Sequence, residues 1–161
     1  LSGSAEAELI INLEDPNLDS IDIEWDVEHP TSMEGKQLDL NTKDDMDVAV
    51  NETPQDILGS DGLGSITGDA RSVHLSAPAD DVGDLQSRGE GAIIEADWFI
   101  KASCQTTLEN LGRLVRANTI IELKGAGTRY SGKYYVSGVK HIIDASQHKM
   151  EIELIRNGWG E

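Results

Sequence analysis

The sequence is short of cysteine, of aromatic residues and of long apolar runs. Cys104 is the only cysteine, which excludes an internal disulfide and a cysteine-rich metal site, and we expect it to be a small residue on a strand. Phe, Trp and Tyr make up only 4% of the chain. The core must therefore consist mainly of Ile, Leu and Val, which suit strands. No apolar run approaches the roughly 20 residues that span a bilayer, so we expect no membrane insertion.

Basic residues are also few. The chain has 13 Lys and Arg against 30 Asp and Glu, for a net charge of −17. Residues 1–97 carry 24 acids and 4 bases, a charge of −20, whereas residues 98–161 carry 6 acids and 9 bases, a charge of +3. Such a field opposes binding to DNA, RNA or anionic lipid, so we expect no sequence-specific nucleic-acid partner. A solvated acidic face explains the charge most simply, and a wall that repels nucleic acid is compatible with it.

The length of 161 residues predicts a single domain over residues 1–161. The chain starts Leu1-Ser-Gly-Ser, without a Met and without a basic region followed by an apolar one. This start predicts no signal peptide, and we expect the chain to be cut from a longer protein.

The stretch Ile21–Glu28 has the clearest period-two pattern, which predicts a strand with one buried and one solvated face. Ile21, Ile23, Trp25 and Val27 fall on the apolar face, and Asp22, Glu24, Asp26 and Glu28 on the acidic one. Carboxylates two residues apart on a strand are too distant to chelate one ion by themselves. We therefore predict a solvated acidic face here and no metal site.

The rest of the chain is predicted to be mostly strands with one helix. Residues 52–78, rich in Gly, Ser, Asp and Pro, predict a long flexible loop, broken only by a possible strand at Ser72–Leu75. A helix is predicted within residues 79–97, spanning Asp80–Ala96, with Ser76 or Asp80 as its N-cap. We expect this helix to pack against a sheet. Residues 98–157 are predicted to form a β-strand core. Further strands are predicted at Glu8–Leu13, Lys36–Leu40, Met46–Val50, Trp98–Gln105, Arg113–Val115, Thr119–Lys124, Lys133–Asp144 and Lys149–Arg156.

The stretch Gly127-Thr-Arg-Tyr-Ser-Gly-Lys-Tyr134 matches the phosphate-binding loop G-x-x-x-x-G-K-[ST] at every position but the last. A phosphate loop joins a strand to a helix, yet the β-branched and aromatic run after Lys133 predicts a strand. Tyr134 also cannot place a small hydroxyl on magnesium. We therefore predict a β-hairpin whose turn uses the freedom of glycines and whose exposed tip carries two cations. These residues are Gly125, Gly127 and Gly132 at the turn, and Arg129 and Lys133 at the tip.

Other catalytic patterns are missing from the sequence. It contains no H-E-x-x-H motif and no G-x-S-x-G elbow. The four histidines are scattered along the chain as His29, His74, His141 and His148. We therefore expect no catalytic residue, no cofactor and no metal, and we predict that the chain is not an enzyme.

Three stretches of the second half resemble the phage late control protein D family, the baseplate hub proteins of contractile tails and of related injection systems. They are "ADWFIKAS", "GRLVRANTIIELKGAGTRYSGKYYVSGVKHIID" and "KMEIELIRNGWG", and "IDIEWDVEHPTSMEGKQLDLNTKDD" resembles the family more loosely. The family shows a helix, a Trp-Phe strand, a G-x-G-x-x-x-S-G-x-Y-x-V hairpin, a strand ending in His and a last strand ending in Arg-Asn. The matching positions are Asp80–Ala96, Trp98-Phe99, Gly125–Val136, His141 and Arg156-Asn157.

The resemblance implies a structural protein with a mainly β (α+β) fold, a tail-tube-like split β-barrel or sandwich with one packed helix. It implies the C-terminal portion of a longer hub that forms a homotrimer, contacts spike and tail-tube proteins, and is assembled in the cytoplasm into a virion or injection-system particle. The hairpin residues Gly125, Gly127, Arg129, Tyr130, Gly132 and Lys133 then become a candidate subunit contact. Asp22, Glu24, Asp26 and Glu28 become a candidate acidic lumen face that repels DNA or an acidic cargo.

Two alternatives remain open. One is a small-ligand or carbohydrate-binding β-barrel module, a monomer whose Trp25, Trp98 and Trp159 would have to converge on a concave pocket. The other is a nucleotide enzyme, which ATP binding that vanishes in Lys133→Ala would support.

Overall fold

The computed structural model describes residues 3–39, 42–68, 71–76 and 78–160. The predictions made for Leu1, at the start of the chain, and for Leu40, at the end of a strand, lie outside these residues. The chain divides into two compact units. The first unit comprises Leu1–Asp26, Ile57–Gly62 and Phe99–Glu161, and the second comprises Val27–Asp56 and Leu63–Trp98. The prediction of one domain over residues 1–161 stays a prediction.

Strands dominate the described residues, with three helices among them. The strands are β1 (Ala7–Ile10), β2 (Ile21–Trp25), β3 (Ser32–Leu38), β4 (Asp45–Val50), β5 (Ser72–Leu75), β6 (Ile100–Thr107), β7 (Ile120–Lys124), β8 (Gly132–Ile143) and β9 (His148–Arg156). The helices are α1 (Leu63–Thr67), α2 (Val82–Ala96) and α3 (Leu108–Leu111). The predicted mainly β fold is confirmed.

The first unit is built on a six-stranded sheet in the order β1-β7-β8-β9-β6-β2, curled into a half-barrel. Neighbouring strands are antiparallel except β1 and β7, which are parallel. Alternation along β9 buries Met150, Ile152 and Leu154, as predicted for Lys149–Arg156. Their cross-strand neighbours continue this apolar face with Ala102 and Cys104 on β6 and Val136 on β8. The opposite face of the same strands is therefore the one left for polar residues.

The second unit packs α2 on a three-stranded sheet in the order β4-β3-β5. Ile93 of α2 contacts a small core with Met33 and Val50. Gly89 allows a close approach, because a Cβ there would lie 3.1 Å from a methyl group of Val50. Packing against a sheet thus compensates for the weak helix propensity of glycine, as the sequence predicted.

The start of α2 differs from the prediction. The N-cap is Asp81, whose Oδ1 accepts a hydrogen bond from the backbone N–H of Asp84 at 2.8 Å, so the predicted caps Ser76 and Asp80 were wrong. Val82 stands in the first turn of α2 and is 48% exposed.

Residues 52–78 are not one continuous loop. They contain α1, which the sequence analysis missed, and β5, which pairs in parallel with β3 at the predicted residues. Arg113–Val115 was predicted to be a strand and instead follows α3, which Thr107 caps at its start and Gly112 ends with φ 71°. Short helices of this kind carry too little apolar periodicity to stand out in a sequence.

Candidate assembly site

The hairpin predicted from the glycine-rich stretch is present. β7 and β8 pair antiparallel, with Glu122 opposite Lys133 and Leu123 opposite Gly132. The phosphate-loop-like motif therefore leads into a strand, as predicted. The connecting residues, 125–131, lie entirely within the first unit.

Gly125 is required by the path of the chain. Its φ is +83°, and a Cβ at this position would lie 1.7 Å from the backbone oxygen of Ile11. Gly127 has the same φ of +83°, but a Cβ there would meet nothing within 4 Å. The two glycines thus share a left-handed conformation and differ in steric crowding.

The turn is closed by its own hydrogen bonds. The backbone N–H of Ser131 donates to the oxygen of Gly127 at 2.9 Å, and the N–H of Ala126 donates to the Ser131 hydroxyl at 3.2 Å. The Tyr134 hydroxyl donates to the backbone oxygen of Tyr130 at 2.9 Å. These bonds give the tip one conformation in which to present its side chains.

Arg156 is buried beneath this turn. Its side chain is 0% exposed and donates to backbone oxygens of three segments: Ser131 at 2.9 Å, Leu58 at 3.1 and 3.2 Å, and Gly160. The neighbouring Asn157 accepts from the N–H of Leu58 at 2.9 Å. All three nitrogens of the guanidinium donate to carbonyls, which satisfies donor and acceptor in a buried polar contact.

This role of Arg156 was not predicted from the sequence, where the Arg-Asn pair entered only through a family resemblance. A signal was present, because Arg156 continues the alternation of Met150, Ile152 and Leu154 and so points to the buried face of β9.

The predicted tip cations differ in their surroundings. The guanidinium carbon of Arg129 lies 4.7 Å from the ring centroid of Trp159, a cation–π contact, and the backbone oxygen of Arg129 accepts a hydrogen bond from the N–H of Gly160 at 3.2 Å. Lys133 is exposed at the start of β8. Arg129 thus helps to order the C-terminal residues, whereas Lys133 is the tip cation that is available to a partner.

Trp25 and Tyr130 form a second aromatic contact at the tip. Their ring centroids are 5.6 Å apart and the rings are tilted by 35°. Trp25 was predicted on a buried face, yet it is 54% exposed. The reason is its place at the end of β2, an outer strand of the sheet, where few residues are available to cover it. Trp25 and Tyr130 are therefore a partly exposed aromatic pair, and Lys133 is exposed three residues after Tyr130 in the chain.

The four predicted acidic residues are all exposed, but they do not share one strand. β2 ends at Trp25, so only Asp22 and Glu24 lie on it, and Asp26 and Glu28 follow it. Glu28 belongs to the second unit. The prediction of a strand to Glu28 was wrong, because the alternation of residue types continues for three residues beyond Trp25, where the strand ends.

Asp22 and Glu24 belong to a wider acidic sheet face. Ser103 on β6 has Asp22 of β2 opposite it on one side and Glu153 of β9 on the other. Gln105 on β6 stands opposite Glu151 on β9. We call Asp22, Glu24, Glu151 and Glu153 the acidic sheet face. Three lysines accompany it: Lys101 opposite Glu24, Lys149 two residues before Glu151 on β9, and Lys140, whose Nζ lies 3.0 Å from Glu151.

A shallow hollow of about 580 Å³ lies over this face. Gly138 lies at an irregularity in the pairing of β8 with β9. Because it has no side chain, the space beside Glu153 stays open and contributes to the hollow. The hollow is lined by Ser20, Asp22, Ser103, Cys104, Gln105, Gly138, Val139, Lys140, Glu151, Ile152 and Glu153, none of them aromatic. Its surface is polar and acidic on balance.

Two groups with altered acidity, Cys104 and Tyr134, are buried in the core of the first unit. Burial raises the pKa of the Cys104 thiol to about 12, so Cys104 stays protonated, which disfavours it as a nucleophile. Burial also raises the pKa of Tyr134, although nearby Arg156 acts in the opposite direction. Among the described residues no group of three or more His, Cys, Asp or Glu is placed to hold a metal ion. In the described part of the chain, no helix combines the length and apolarity needed to cross a membrane.

Comparison with known proteins places the fold. The family model of the Alg8 N-terminal domain matches residues 85–145. This match covers less than half of the chain, beginning inside α2 and ending before β9. No curated protein matches the chain.

Two solved structures align with nearly the whole chain. The 43 kDa tail protein of prophage MuSo2 from Shewanella oneidensis is 14% identical, with a TM-score of 0.69 over 97% of this chain and 45% of that one. The tail protein from Neisseria meningitidis MC58 is 11% identical, with a TM-score of 0.64 and the same two coverages. The chain therefore spans less than half the length of these proteins, and its fold is one found in phage tail proteins.

Proposed function

We propose that the chain is a structural part of a baseplate hub or tube adaptor in a phage-like contractile tail or injection system. In this role it joins the spike to the tube, belongs to the late control protein D family and catalyses no reaction. The observation that carries the proposal is the alignment of 97% of the chain with two tail proteins at TM-scores of 0.69 and 0.64. A fold shared along nearly the whole chain supports a shared kind of role, which is an inference by analogy.

The outer strands of the six-stranded sheet support a role in assembly. β1 and β2 each have a single neighbouring strand among the described residues, so each offers one row of backbone groups for further pairing. If β1 of one copy pairs with β2 of the next copy, the contact is head-to-tail. Repeating this contact closes a ring when the rotation between neighbouring copies divides a full turn evenly. A homotrimeric ring with the spike and the tube protein as its partners follows from this proposal.

The hairpin tip supplies specificity in this proposal. Trp25 and Tyr130 offer partly exposed aromatic surface, and Lys133 adds a positive charge to an otherwise acidic chain. Aromatic residues are enriched at the centres of protein interfaces, and a lysine beside them suits the polar rim. Gly125, Gly127 and Gly132 act indirectly, by allowing the turn that presents these side chains.

The acidic sheet face fits the proposed lumen. Asp22, Glu24, Glu151 and Glu153 stand on one face of three adjacent strands, with Asp26 exposed just beyond β2. A passage lined by carboxylates repels DNA or an acidic cargo and so lets it slide without sticking. Lining such a passage is the role we propose for this face.

Light scattering of the purified chain tests the assembly part of the proposal. We expect a species with three times the chain mass of 17.5 kDa, reached as the concentration rises. A monomer at every concentration, together with no binding to tail-tube or spike protein, would contradict it. Binding by a monomer would retain the partner role and reject the trimer.

The small-ligand or carbohydrate-binding alternative receives less support. Its pocket needs aromatic residues, but the hollow over the acidic sheet face has none. Trp25 and Trp159 contact Tyr130 and Arg129, residues of the hairpin tip, which already accounts for them.

A further inference from the structure

Two histidines that are seven residues apart in sequence meet at the far end of the β8–β9 hairpin. Nδ1 of His141 lies 3.0 Å from Nε2 of His148, with the ring centroids 5.1 Å apart and the rings at 69°. His141 pairs with Met150 and His148 with Ile143, so the two are diagonal neighbours on one face of the hairpin. Neither the proposed assembly surface nor the acidic sheet face uses them.

We propose that His141 and His148 together bind one divalent transition-metal ion of the imidazole-preferring class, Zn²⁺, Ni²⁺ or Cu²⁺. Imidazole nitrogens are common ligands of these ions, with bonds of about 2.0–2.1 Å. Two such ligands in adjacent coordination positions are about 2.9–3.4 Å apart, since they subtend an angle of about 90–110° at the metal. The observed 3.0 Å between the two nitrogens falls in this range.

Metal binding replaces the hydrogen bond between the two rings. In the hydrogen bond one facing nitrogen carries the proton and the other the lone pair. For metal binding both facing nitrogens must carry lone pairs, so the shared proton leaves the donor nitrogen, to the outer nitrogen of that ring where this is unprotonated and to solvent otherwise. The ion then takes the place of the shared hydrogen.

The surroundings allow an ion to enter. His141 is exposed and His148 half-buried. Asp144 fixes the intervening turn by accepting from the N–H groups of Ser146 at 2.7 Å and Gln147 at 3.0 Å. The strands are therefore held with both rings on one side before any ion arrives. Among the described residues no third His, Cys, Asp or Glu joins them, so water completes the coordination.

Calorimetric titration of the tag-free chain with NiCl₂, and separately with ZnCl₂ and CuSO₄, tests the proposal. We expect one ion per chain, and a metal affinity reduced at least about tenfold in His141→Gln and in His148→Gln. Removing a residue that only orients a metal ligand already lowers metal affinity by about tenfold or more, and removing the ligand itself should lower it at least as much. His74→Gln is the matched control, since His74 is 82% exposed and lies in the other unit.

A second measurement locates the ion without any substitution. Cu²⁺ should broaden the NMR signals of Ile142, Ile143 and Lys149 before those of β3 and β4. The proposal is overturned if the wild-type chain binds none of the three ions, if His141→Gln binds as tightly as wild type, or if His74→Gln alone abolishes binding.

Discussion

The guanidinium carbon of Arg156 lies 5.2 Å from the centroid of the Tyr134 ring, and both side chains are 0% exposed. The same guanidinium donates to backbone oxygens of Leu58, Ser131 and Gly160. One side chain therefore links the hairpin turn, the segment Ile57–Gly62 and the C-terminal residues of the first unit.

Replacing Arg156 by Ala should lower the free energy of unfolding by about 3–5 kcal/mol, since several buried carbonyls would lose their donors at about 1–3 kcal/mol each. Urea denaturation followed by circular dichroism measures the change. Arg113→Ala, on an exposed residue, is the control and should change stability by less than about 0.5 kcal/mol. Equal stability of the two variants would contradict the role assigned to Arg156.

The two turn glycines give a matched pair. Gly125→Ala should destabilise the chain by at least about 3 kcal/mol, because its Cβ would collide with the backbone oxygen of Ile11. Gly127→Ala, at the same φ but in open space, should cost only about 1–2 kcal/mol from backbone strain. Thermal unfolding of both proteins compares them, and a larger loss in Gly127→Ala would refute the steric explanation.

The elements that could be predicted are those whose own residues carry a pattern typical of a strand or a helix. Alternation along β9 and the run of β-branched and aromatic residues after Lys133 identified strands, and the latter also distinguished the hairpin from a phosphate loop. The helix at Val82–Ala96 followed from its apolar spacing. Its cap depended on the extended backbone of Asp81, with φ −152° and ψ 179°, which the sequence does not reveal.

What the sequence could not reveal depends on residues distant along the chain. Trp25 is exposed because β2 is an outer strand, which only the pairing order determines. Arg156 is buried because Leu58, 98 residues earlier, supplies an acceptor. The His141–His148 contact needed the exact register of β8 and β9, which a bulge near Gly138 shifts by one residue.

The turn at Asp144 predicts a dependence of stability on pH. Hydrogen bonds from the Ser146 hydroxyl, and then from the N–H groups of Ser146 and Gln147, lower the pKa of Asp144 to about 2 from the ordinary 3.8. A carboxyl whose pKa is lower in the folded state contributes stability above its unfolded pKa and loses it as the pH falls through the folded pKa.

Asp144→Ala should therefore be less stable than wild type at neutral pH, and the difference should shrink between about pH 4 and about pH 2. Melting temperatures of the two proteins across this range measure it. Asp19→Ala, also exposed, controls for the loss of one negative charge. A difference that stays constant down to pH 2 would contradict this account of the turn.

Lys133 tests the proposed subunit contact at the hairpin tip. Lys133→Glu should weaken self-association by roughly tenfold, because reversing a charge within an interface places it against the group it attracted. Sedimentation measures the association. Lys43→Glu, exposed in the second unit, makes the same charge change elsewhere and should have no effect. Unchanged association of Lys133→Glu would remove this tip from the interface. Arg129 is less suitable, since it also contacts Trp159.

We propose that the chain joins spike to tube in a contractile particle. Affinity purification of the protein in its own host, tagged at its own locus, followed by mass spectrometry and electron microscopy of the particles, tests it most directly. We expect tube and spike proteins to be recovered with it in fixed proportion, and the tag to lie at their junction in the particles. Recovery of the protein alone, or intact spike-to-tube junctions in particles that lack it, would contradict the account.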